Sequence, residues 1–340
     1  MMHKDSTSTE ATSSETMTAA VCNRYGPPEV VTLAEIPKPR PKADEVRVRV
    51  RATTVSAGDY RVRSHNVPAG FGLLSRLALG IRKPRQPILG TELSGDIDQI
   101  GAKVTEFAVG DPVVLFGDAA MGCHAQYRCI SEDGSIVRKP RNLSYKQAAA
   151  LSFGGTTALH FLRKARIKPG ERVLVYGASG SVGTACVQLA QQFGAHVTAV
   201  CSSPNIDLVR SLGADEVVDY TTTDYTRTEQ TYDVIVDTVG SAGYSRSKSV
   251  LNRGGRLLLV HGTLMQLIIA PWLTLTTQTK VIPGVALGRK QDLAFLAELA
   301  EKGLFTPVID RTYPLTEIAN AHRYVETRRK RGNVVISVAE

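Results

Sequence analysis

The chain has 340 residues, enough for about two domains of ordinary size. Its 43% hydrophobic and 21% charged residues exclude a chain disordered throughout, a collagen-like repeat, a coiled coil and a disulfide scaffold. The 41 Lys and Arg against 32 Asp and Glu give a net charge of +9, but the bases are spread along the chain, so we expect no nucleic-acid partner.

The N-terminal residues 1–16 are rich in Ser and Thr, include acidic residues and lack an apolar stretch, which indicates a disordered tail rather than a secretory signal or transit peptide. The five cysteines form no C-x-x-C pair and no even framework, so we expect reduced thiols and a cytoplasmic location. Residues 257–275 are largely apolar, but Gly262 and Pro271 are among the interruptions. A buried strand followed by a hydrophobic loop or helix is favoured over a membrane span.

Short β-strands are predicted in the first part of the chain. They lie between Gly, Pro and Asp turns, at Ala19–Cys22, Val30–Ile36, Val46–Val55, Glu92–Ile100 and Pro112–Leu115. In the third of these, Val46, Val48 and Val50 alternate with arginines, which is the period of two typical of a half-buried strand. We expect a compact, barrel-like β domain here.

Strands and helices alternate in the middle of the chain. A helix at Thr156–Ala165 is followed by apolar strands at Arg172–Tyr176, His196–Cys201, Glu216–Val218, Asp233–Asp237, Arg256–Val260 and Val281–Val285, with helices at Val182–Phe193 and Ile206–Leu212 between them. Near-continuous apolar strands between helices predict a parallel sheet covered on both faces.

The C-terminal part returns to a mixed pattern, with helices predicted at Asp292–Lys302 and Thr316–Thr327 and a strand at Val334–Val338. We therefore predict an α/β chain with a β-rich domain split in sequence, at 17–138 and 287–340. A doubly wound parallel-sheet domain at 139–286 lies between its two pieces.

A glycine-rich loop joins the first parallel strand to its helix. In Val173-Leu-Val-Tyr-Gly177-Ala-Ser-Gly180-Ser-Val-Gly183, the glycines permit a tight turn and a close approach of the backbone to a pyrophosphate. The helix that follows offers free N–H groups and the positive end of its dipole. Because a second strand follows at His196–Cys201, the loop predicts dinucleotide binding.

The residues after that second strand bear on the choice of cofactor. An Asp or Glu that binds the ribose 2′-hydroxyl of NAD is common there. This chain has Ser202 and Ser203 and no acid until Asp207, and hydroxyls can donate to a 2′-phosphate. The alternative is that Ser202 and Asn205 only cap the next helix. We expect a moderate preference for NADPH, with NADH left open.

With these residues in place, the chain resembles the medium-chain dehydrogenase/reductase superfamily, and most of all its zinc-free quinone oxidoreductase branch. The resemblance extends from Met17 to Val338. Besides the glycine loop, its carriers are Tyr25-Gly-Pro-Pro-Glu, Gly90-Thr-Glu-Leu-Ser-Gly95, Gly110-Asp-Pro-Val, Gly155-Thr-Thr-Ala158, Ser211-Leu-Gly-Ala-Asp-Glu-Val-Val-Asp-Tyr220 and Arg331-Gly-Asn-Val-Val-Ile336.

The resemblance implies a GroES-like catalytic domain around a Rossmann domain, with the active site in the cleft between them. It also implies contacts with the nicotinamide end (Thr157), the pyrophosphate, and the adenosine ribose or its phosphate. The full set of expected cofactor-binding residues is Ser56, Thr157, Gly177, Gly180, Ser181, Val182, Gly183, Ser202, Ser203, Tyr220, Val239, Gly262 and Asn333.

Two departures from the family pattern bear on this set. The family's N-P-x-D stretch reads Ser56-Ala57-Gly58-Asp59, so a hydroxyl replaces an amide near the nicotinamide. The Lys that many relatives carry beside the 2′-phosphate aligns with Asn205, which softens the expected NADPH preference.

The metal ligands of zinc-dependent relatives are also replaced. The histidine position is Thr91 and the early cysteine position is Ser56, while the neighbouring Glu92 is expected to be structural. A zinc site needs about four thiolate, imidazole or carboxylate ligands. We therefore expect no zinc.

Without a Lewis acid to help deprotonate an alcohol, the expected reaction is reduction of a quinone or an α,β-unsaturated carbonyl by the reduced cofactor. No general acid can be identified, and Tyr60 and Arg63 are only weak candidates. Two alternatives stay open: a nucleotide-binding structural or partner-binding module without turnover, and an alcohol dehydrogenase. A homodimer is also left open.

The long segment Asn66–Leu89 mixes apolar residues with bases. Its apolar side chains include Phe71, Leu73 and Leu77, and its bases are Arg76, Arg82, Lys83 and Arg85. We expect it, together with Leu264–Leu275, to cover an apolar substrate pocket. A peripheral membrane contact is the alternative, because interleaved apolar and basic residues also suit a membrane surface.

Overall fold

The computed structural model of the protein describes residues 15–286 and 288–338. Most of the tail expected at 1–16 lies outside these residues, and Thr16 already belongs to the first strand. Within the described part, no helix is both long enough and apolar enough to cross a membrane.

The first part of the chain forms strands with two short helices. In chain order these elements are β1 (Thr16–Cys22), β2 (Val31–Pro37), β3 (Glu45–Val55), α1 (Ala57–Ser64), α2 (Gly72–Leu79), β4 (Glu92–Ile100), β5 (Pro112–Phe116), β6 (Tyr127–Ser131) and β7 (Ile136–Arg138). The first five predicted strands are confirmed, whereas β6, β7 and both helices were not predicted. β6 and β7 are short and β6 is half-buried along its whole length, so neither produces a clear alternation.

The middle of the chain alternates helices and strands. The elements are α3 (Tyr145–Ala149), α4 (Ser152–Ala165), β8 (Arg172–Tyr176), α5 (Ser181–Gln192), β9 (His196–Cys201), α6 (Ile206–Ser211), β10 (Glu216–Asp219), β11 (Tyr232–Asp237), α7 (Tyr244–Ser247), β12 (Leu251–Leu259), α8 (Leu264–Thr276) and β13 (Lys280–Pro283). The C-terminal part adds α9 (Lys290–Glu301), β14 (Ile309–Pro314), α10 (Ile318–Glu326) and β15 (Asn333–Ser337).

The six middle strands form one parallel sheet in the spatial order β10-β9-β8-β11-β12-β13. Successive residues of its strands enter different cores: Val173 and Val175 pack on one face, and Leu174 packs on the other. Both faces are therefore covered, as predicted for a doubly wound sheet. The strand order reverses between β8 and β11, where ligands bind in such folds.

β1 and β2 pair only with each other, and the other strands before and after this unit share a second sheet. Its order is β14-β15-β3-β4-β5-β7, with β6 also paired to β3, so the C-terminal strands return to the N-terminal ones. Val46, Val48 and Val50 are fully buried, as the alternation of β3 predicts. Arg47 is also nearly buried, because its guanidinium is held on Asp98 by two hydrogen bonds of 2.9 Å.

The fold class is the predicted one, a β-rich unit built from both ends of the chain and a parallel-sheet unit between them. The domain boundaries themselves stay a prediction. Helix α9 lies at the junction, and its Leu293 and Leu296 pack in the same core as α4 and one face of the parallel sheet.

Candidate functional site

The glycine loop between β8 and α5 has the shape that the spacing predicts. Gly177 has φ of +81°, and a Cβ there would lie 2.4 Å from Val239 Cγ2. A Cβ at Gly183 would lie 2.1 Å from the carbonyl oxygen of Gly177, so this glycine lets helix and strand pack closely. A Cβ at Gly180 would meet nothing nearer than 3.6 Å. Two glycines thus close the turn, and the third leaves open the backbone cradle that a pyrophosphate would fill.

Helix α5 begins behind this cradle. Gly180 is its N-cap and offers no side chain to occupy the first N–H groups. Ser181 and Val182 follow in the first turn and are nearly buried. The helix is twelve residues long, so its N-terminus carries the full positive end of a helix dipole. Backbone and dipole together favour an anion at this point.

Asn333 ties the glycine loop to the other sheet. Ser181 Oγ donates to Asn333 Oδ1 at 2.6 Å, and Asn333 Nδ2 donates to the carbonyl of Val308 at 3.0 Å. Next to it, the Gly332 N–H donates to the Ser179 carbonyl at 2.8 Å. Strand β15 therefore fixes the loop in place. Asn333 lies beside the cradle, with both ends of its amide already engaged.

The other residues that are expected to contact the adenosine or the nicotinamide lie at one edge of the parallel sheet, because each follows the carboxyl end of a strand. They are Ser202 and Ser203 after β9, Tyr220 after β10, Val239 after β11 and Gly262 after β12. Tyr220 and Val239 are about half exposed, at 53% and 49%. The fold thus brings together residues that are 60 positions apart in sequence, counted from Ser202 to Gly262.

A carboxylate lies among the hydroxyls after β9, and the sequence analysis missed it. Ser203 Oγ donates to the carboxylate of Asp219, and Thr221 donates to its Oδ1 through both its hydroxyl (2.7 Å) and its N–H (2.9 Å). The hydrogen bonds from Ser203 and Thr221 hold the pKa of Asp219 below its usual value, so the group is charged at neutral pH. The acid belongs to the neighbouring strand β10, and its place directly before Tyr220 was the available signal.

A second missed residue holds the loop after β11. Asp237 is fully buried, and its Oδ1 accepts hydrogen bonds from the N–H groups of Val239 (3.0 Å) and Gly240 (2.7 Å). Its Oδ2 accepts from the Ala242 N–H at 2.7 Å. An acid at the end of an otherwise apolar strand was the sequence signal. Asp237 fixes the backbone that lies against Gly177.

Helix α4 connects the glycine loop to α1 at the expected nicotinamide end. A Cβ at Gly58 would lie 3.3 Å from the ring of Phe153, and a Cβ at Gly154 would lie 2.6 Å from the Ser181 carbonyl. Thr157 follows one turn later, with its hydroxyl donating to the Phe153 carbonyl at 2.7 Å. The first two turns of α4 therefore lie between the start of α1 and the start of α5.

Ser56 is the N-cap of α1. Its hydroxyl donates to Asp59 Oδ2 at 2.6 Å and accepts from the Gly58 N–H at 3.1 Å, while Asp59 Oδ1 accepts from the Gly90 N–H at 2.8 Å. Ser56 is 5% exposed. Its hydroxyl thus holds α1 and, through Asp59, the strand that leads to Thr91.

Glu92 has the structural role expected of it. One carboxylate oxygen accepts from Thr54 Oγ1 at 2.6 Å, and the other accepts from the N–H groups of Ser152 (3.0 Å) and Phe153 (2.6 Å) at the start of α4. The side chain is fully buried, and burial raises its pKa to about 7. Glu92 therefore links the β-rich sheet to the helix that carries Thr157.

The two weak catalytic candidates lie in the core of the β-rich unit. The guanidinium of Arg63 is fully buried and donates to the Gly26 carbonyl (2.9 Å) and to Glu326 (2.8 Å), which is a structural arrangement. Tyr60 is 8% exposed, and its hydroxyl accepts from the amide of Asn66. We therefore assign no general acid.

The residues present do not fit a zinc ion. Among residues 15–286 and 288–338, no group of three or more His, Cys, Asp and Glu side chains is placed to hold a metal. Thr91 and Ser56 offer hydroxyls, which are not among the usual zinc ligands. The nearby Cys123 is a single buried thiol, and burial raises its pKa to about 12.

Comparisons with known proteins agree with this arrangement. Residues 42–158 match the family model described as "Alcohol dehydrogenase GroES-like domain", and residues 212–336 match the model "Zinc-binding dehydrogenase". The β-rich unit is thus GroES-like, as the fold class predicts.

Two curated relatives and one solved structure match along nearly the whole chain. The quinone oxidoreductase of Sus scrofa is 30% identical over 96% of this chain and 99% of its own length. The mitochondrial NAD(P)H oxidoreductase RTN4IP1 of Mus musculus is 29% identical over 97% and 91%. The structure of a quinone oxidoreductase from Coxiella burnetii superposes with a TM-score of 0.84 and 28% identity, over 96% of this chain and all of that one. The chain belongs to the medium-chain dehydrogenase/reductase superfamily, in its quinone-oxidoreductase-like branch.

Proposed function

We propose that the protein is a zinc-independent, NAD(P)H-dependent reductase that transfers hydride to a quinone or an α,β-unsaturated carbonyl. The observation that carries the proposal is the open cradle at Gly180, at the carboxyl edge of the parallel sheet, in a chain whose zinc-ligand positions hold Ser56 and Thr91. The relatedness to proteins named quinone oxidoreductase and NAD(P)H oxidoreductase supports it.

The chain's own residues would bind and orient the cofactor. The N–H groups after Gly180 would hold the pyrophosphate, with Asn333 and β15 keeping the loop rigid. The hydroxyls after β9 would hold the adenosine ribose, and Thr157 would lie towards the nicotinamide. When bound, a reduced nicotinamide supplies a hydride. Rigid placement of this kind lowers the entropic cost of bringing the reactants together.

The acceptor must already be electrophilic. Oxidation of an alcohol requires a base or a metal to take the hydroxyl proton. Among residues 15–286 and 288–338, no zinc ligand set is found and no base is assigned. A quinone or conjugated carbonyl takes hydride directly and leaves a delocalised oxyanion. Backbone N–H groups and hydroxyls in the cleft can stabilise that charge, and water can supply the proton that completes the product.

A moderate preference for NADPH belongs to the same proposal, with NADH accepted as well. Asn205 Nδ2 donates to Ser202 Oγ at 3.0 Å, and neither side chain carries a charge. Neither of these two residues would therefore repel a 2′-phosphate. The charged Asp219 beside Ser203 works against the preference, and Asn205 supplies no cation.

Zinc content is a separate test. Because Ser56 and Thr91 replace the ligands, we expect the purified protein to contain far less than one zinc per chain and to keep its activity after chelation. Mass spectrometry measures the zinc content per chain. A zinc-dependent alcohol dehydrogenase carried through the same purification is the control. One tightly held zinc per chain, lost together with activity, would contradict the proposal.

Turnover tests the reaction. We expect the full chain to oxidise NADPH, and NADH more weakly, with naphthoquinones and simple enones, and to oxidise butanol little. The variant Gly180→Ala, which puts a methyl group in the cradle, should lower these rates in parallel. Cofactor binding without turnover of any acceptor would favour the nucleotide-binding module, and robust butanol oxidation would favour the alcohol dehydrogenase.

A further inference from the structure

Helices α2 and α8 leave most of their apolar side chains exposed. On α8, Met265, Ile268, Trp272 and Leu275 follow one another at the three- and four-residue spacing of a single helical face, and they are 62–85% exposed. Only Ala270 of this 13-residue helix is buried. A helix as apolar as this one is ordinarily buried in a protein core or a membrane.

Helix α2 shows the same exposure. Leu73, Leu74 and Leu77, with Ile81 just beyond the helix, are 53–74% exposed, and none of its eight residues is buried. The two helices also begin side by side. The Leu264 N–H donates to the Ala69 carbonyl at 3.1 Å, and a Cβ at Gly70 would lie 2.7 Å from Leu264 Cβ. Together they form one apolar region, which we call the α2–α8 surface.

The two segments that contain α2 and α8 have basic residues but no acidic ones. The sequence has no Asp or Glu between Asp59 and Glu92, or between Asp237 and Asp292. Cations do occur beside the apolar residues: Arg76, Arg82, Lys83 and Arg85 are all exposed. The α2–α8 surface therefore combines exposed apolar side chains with bases and has no carboxylate of its own.

We propose that the α2–α8 surface docks onto a membrane that contains anionic lipids. Apolar side chains that enter the acyl boundary, bordered by bases that meet lipid phosphates, are the arrangement that such surfaces need. Trp272 adds the amphipathic ring that is enriched at the membrane–water interface. The surface is independent of the reaction proposed above and would hold even if the chain had no turnover.

A second copy of the chain fits this surface less well. A two-fold interface pairs a surface with itself, so the bases of one copy would meet those of the other without a carboxylate from either segment. Anionic lipid supplies the missing negative charge. The substrate cover expected from sequence at these two segments stays a prediction, and the exposure of the α2 leucines favours the membrane instead.

Vesicle flotation of the full chain tests the proposal. We expect the protein to float with vesicles of phosphatidylcholine and phosphatidylserine in equal parts, much less with phosphatidylcholine alone, and less as salt is raised. Leu73→Ser/Leu275→Ser should abolish flotation. Arg82→Gln/Lys83→Gln should weaken vesicle binding by roughly thirtyfold, since each base contributes about 1 kcal/mol to binding.

The matched control is Val109→Ser/Leu304→Ser, which changes two apolar residues that are exposed elsewhere on the molecule. It should float like the parent chain. Equal binding to both vesicle types, or equal loss in the control, would overturn the proposal. So would a dimer, seen by light scattering, that Leu73→Ser/Leu275→Ser dissociates while vesicle binding is absent. A raised KM in that variant without vesicle binding would instead support the substrate cover.

Discussion

Asp219 places a negative charge where the cofactor's adenosine end is expected. It accepts hydrogen bonds from Ser203 and Thr221, which lower its pKa and keep it ionised. A carboxylate about 4 Å from a phosphate charge costs about 1 kcal/mol in water. We therefore propose that residues following both β9 and β10 set the cofactor preference.

Asp219→Asn should therefore tighten NADPH binding by roughly fivefold and leave NADH binding nearly unchanged. The reason is that the charge is removed while the side chain keeps its size and one acceptor oxygen for Thr221. Fluorescence titration measures the dissociation constants of NADPH and NADH, and their ratio gives the cofactor preference. Asp207→Asn, an exposed acid on α6, is the control and should change neither constant. An unchanged ratio in Asp219→Asn would place the phosphate elsewhere.

Glu92 should make stability depend on pH. Burial raises its pKa from 4.5 to about 7, so the folded chain keeps a proton that the unfolded chain releases. The native state is then favoured below pH 4.5, and that contribution is lost as pH rises to about 7. The unfolding free energy of the parent chain should fall relative to that of Glu92→Gln by roughly 3 kcal/mol across this window.

Urea unfolding of both proteins at a series of pH values measures this difference. Gln can still accept from the N–H groups of Ser152 and Phe153, so the variant should fold. Glu229→Gln, at an exposed loop position, should run parallel to the parent chain. A constant difference between the parent chain and Glu92→Gln at all pH values would show that folding does not raise the pKa of Glu92.

Two glycines of the loop between β8 and α5 have different roles: Gly183 lets the helix pack on the strand, and Gly180 leaves space for a ligand. At Gly183 a methyl group would collide with the Gly177 carbonyl, so α5 would have to move away from β8. At Gly180 a methyl group meets nothing nearer than 3.6 Å but lies in the cradle, and φ is −79°. The two positions should respond differently to the same substitution.

Gly183→Ala should destabilise the chain by about 2 kcal/mol and weaken cofactor binding. Gly180→Ala should leave stability within about 0.5 kcal/mol and weaken cofactor binding roughly tenfold, which is what the loss of one charged hydrogen bond costs. Urea unfolding and cofactor titration of both variants check this. Gly72→Ala, where a Cβ meets nothing within 4 Å, should change neither quantity. Equal destabilisation by Gly180→Ala would mean that the cradle is not open.

The sequence predicted elements well where apolar spacing was strong. Strands β4, β8 and β9 have the predicted bounds, because both of their ends are set by turns. β14 was missed since its residues, among them Asp310 and Arg311, are mostly polar and partly exposed at the sheet edge. The tight turn at Gly177, Gly180 and Gly183 was predicted from the spacing of these glycines alone. Asp219 and Arg63 could not be assigned, because their partners come from other strands and helices.

At the level of the whole molecule, the two sheets meet at the glycine loop. Ser181 and Asn333 join them across 152 residues of sequence, and α4 extends this contact towards Ser56. Only the fold makes these distant residues neighbours. The proposed reaction moves a hydride from a nicotinamide to a conjugated acceptor between these two units.

The most direct measurement follows the hydride itself. The full chain is incubated with a simple enone and with NADPH that carries deuterium at the transferable position, and the product is examined by mass spectrometry and NMR. We expect one deuterium at the β-carbon of the saturated carbonyl product, and slower formation of this product by Gly180→Ala. Product free of deuterium, or no product alongside robust butanol oxidation, would contradict it.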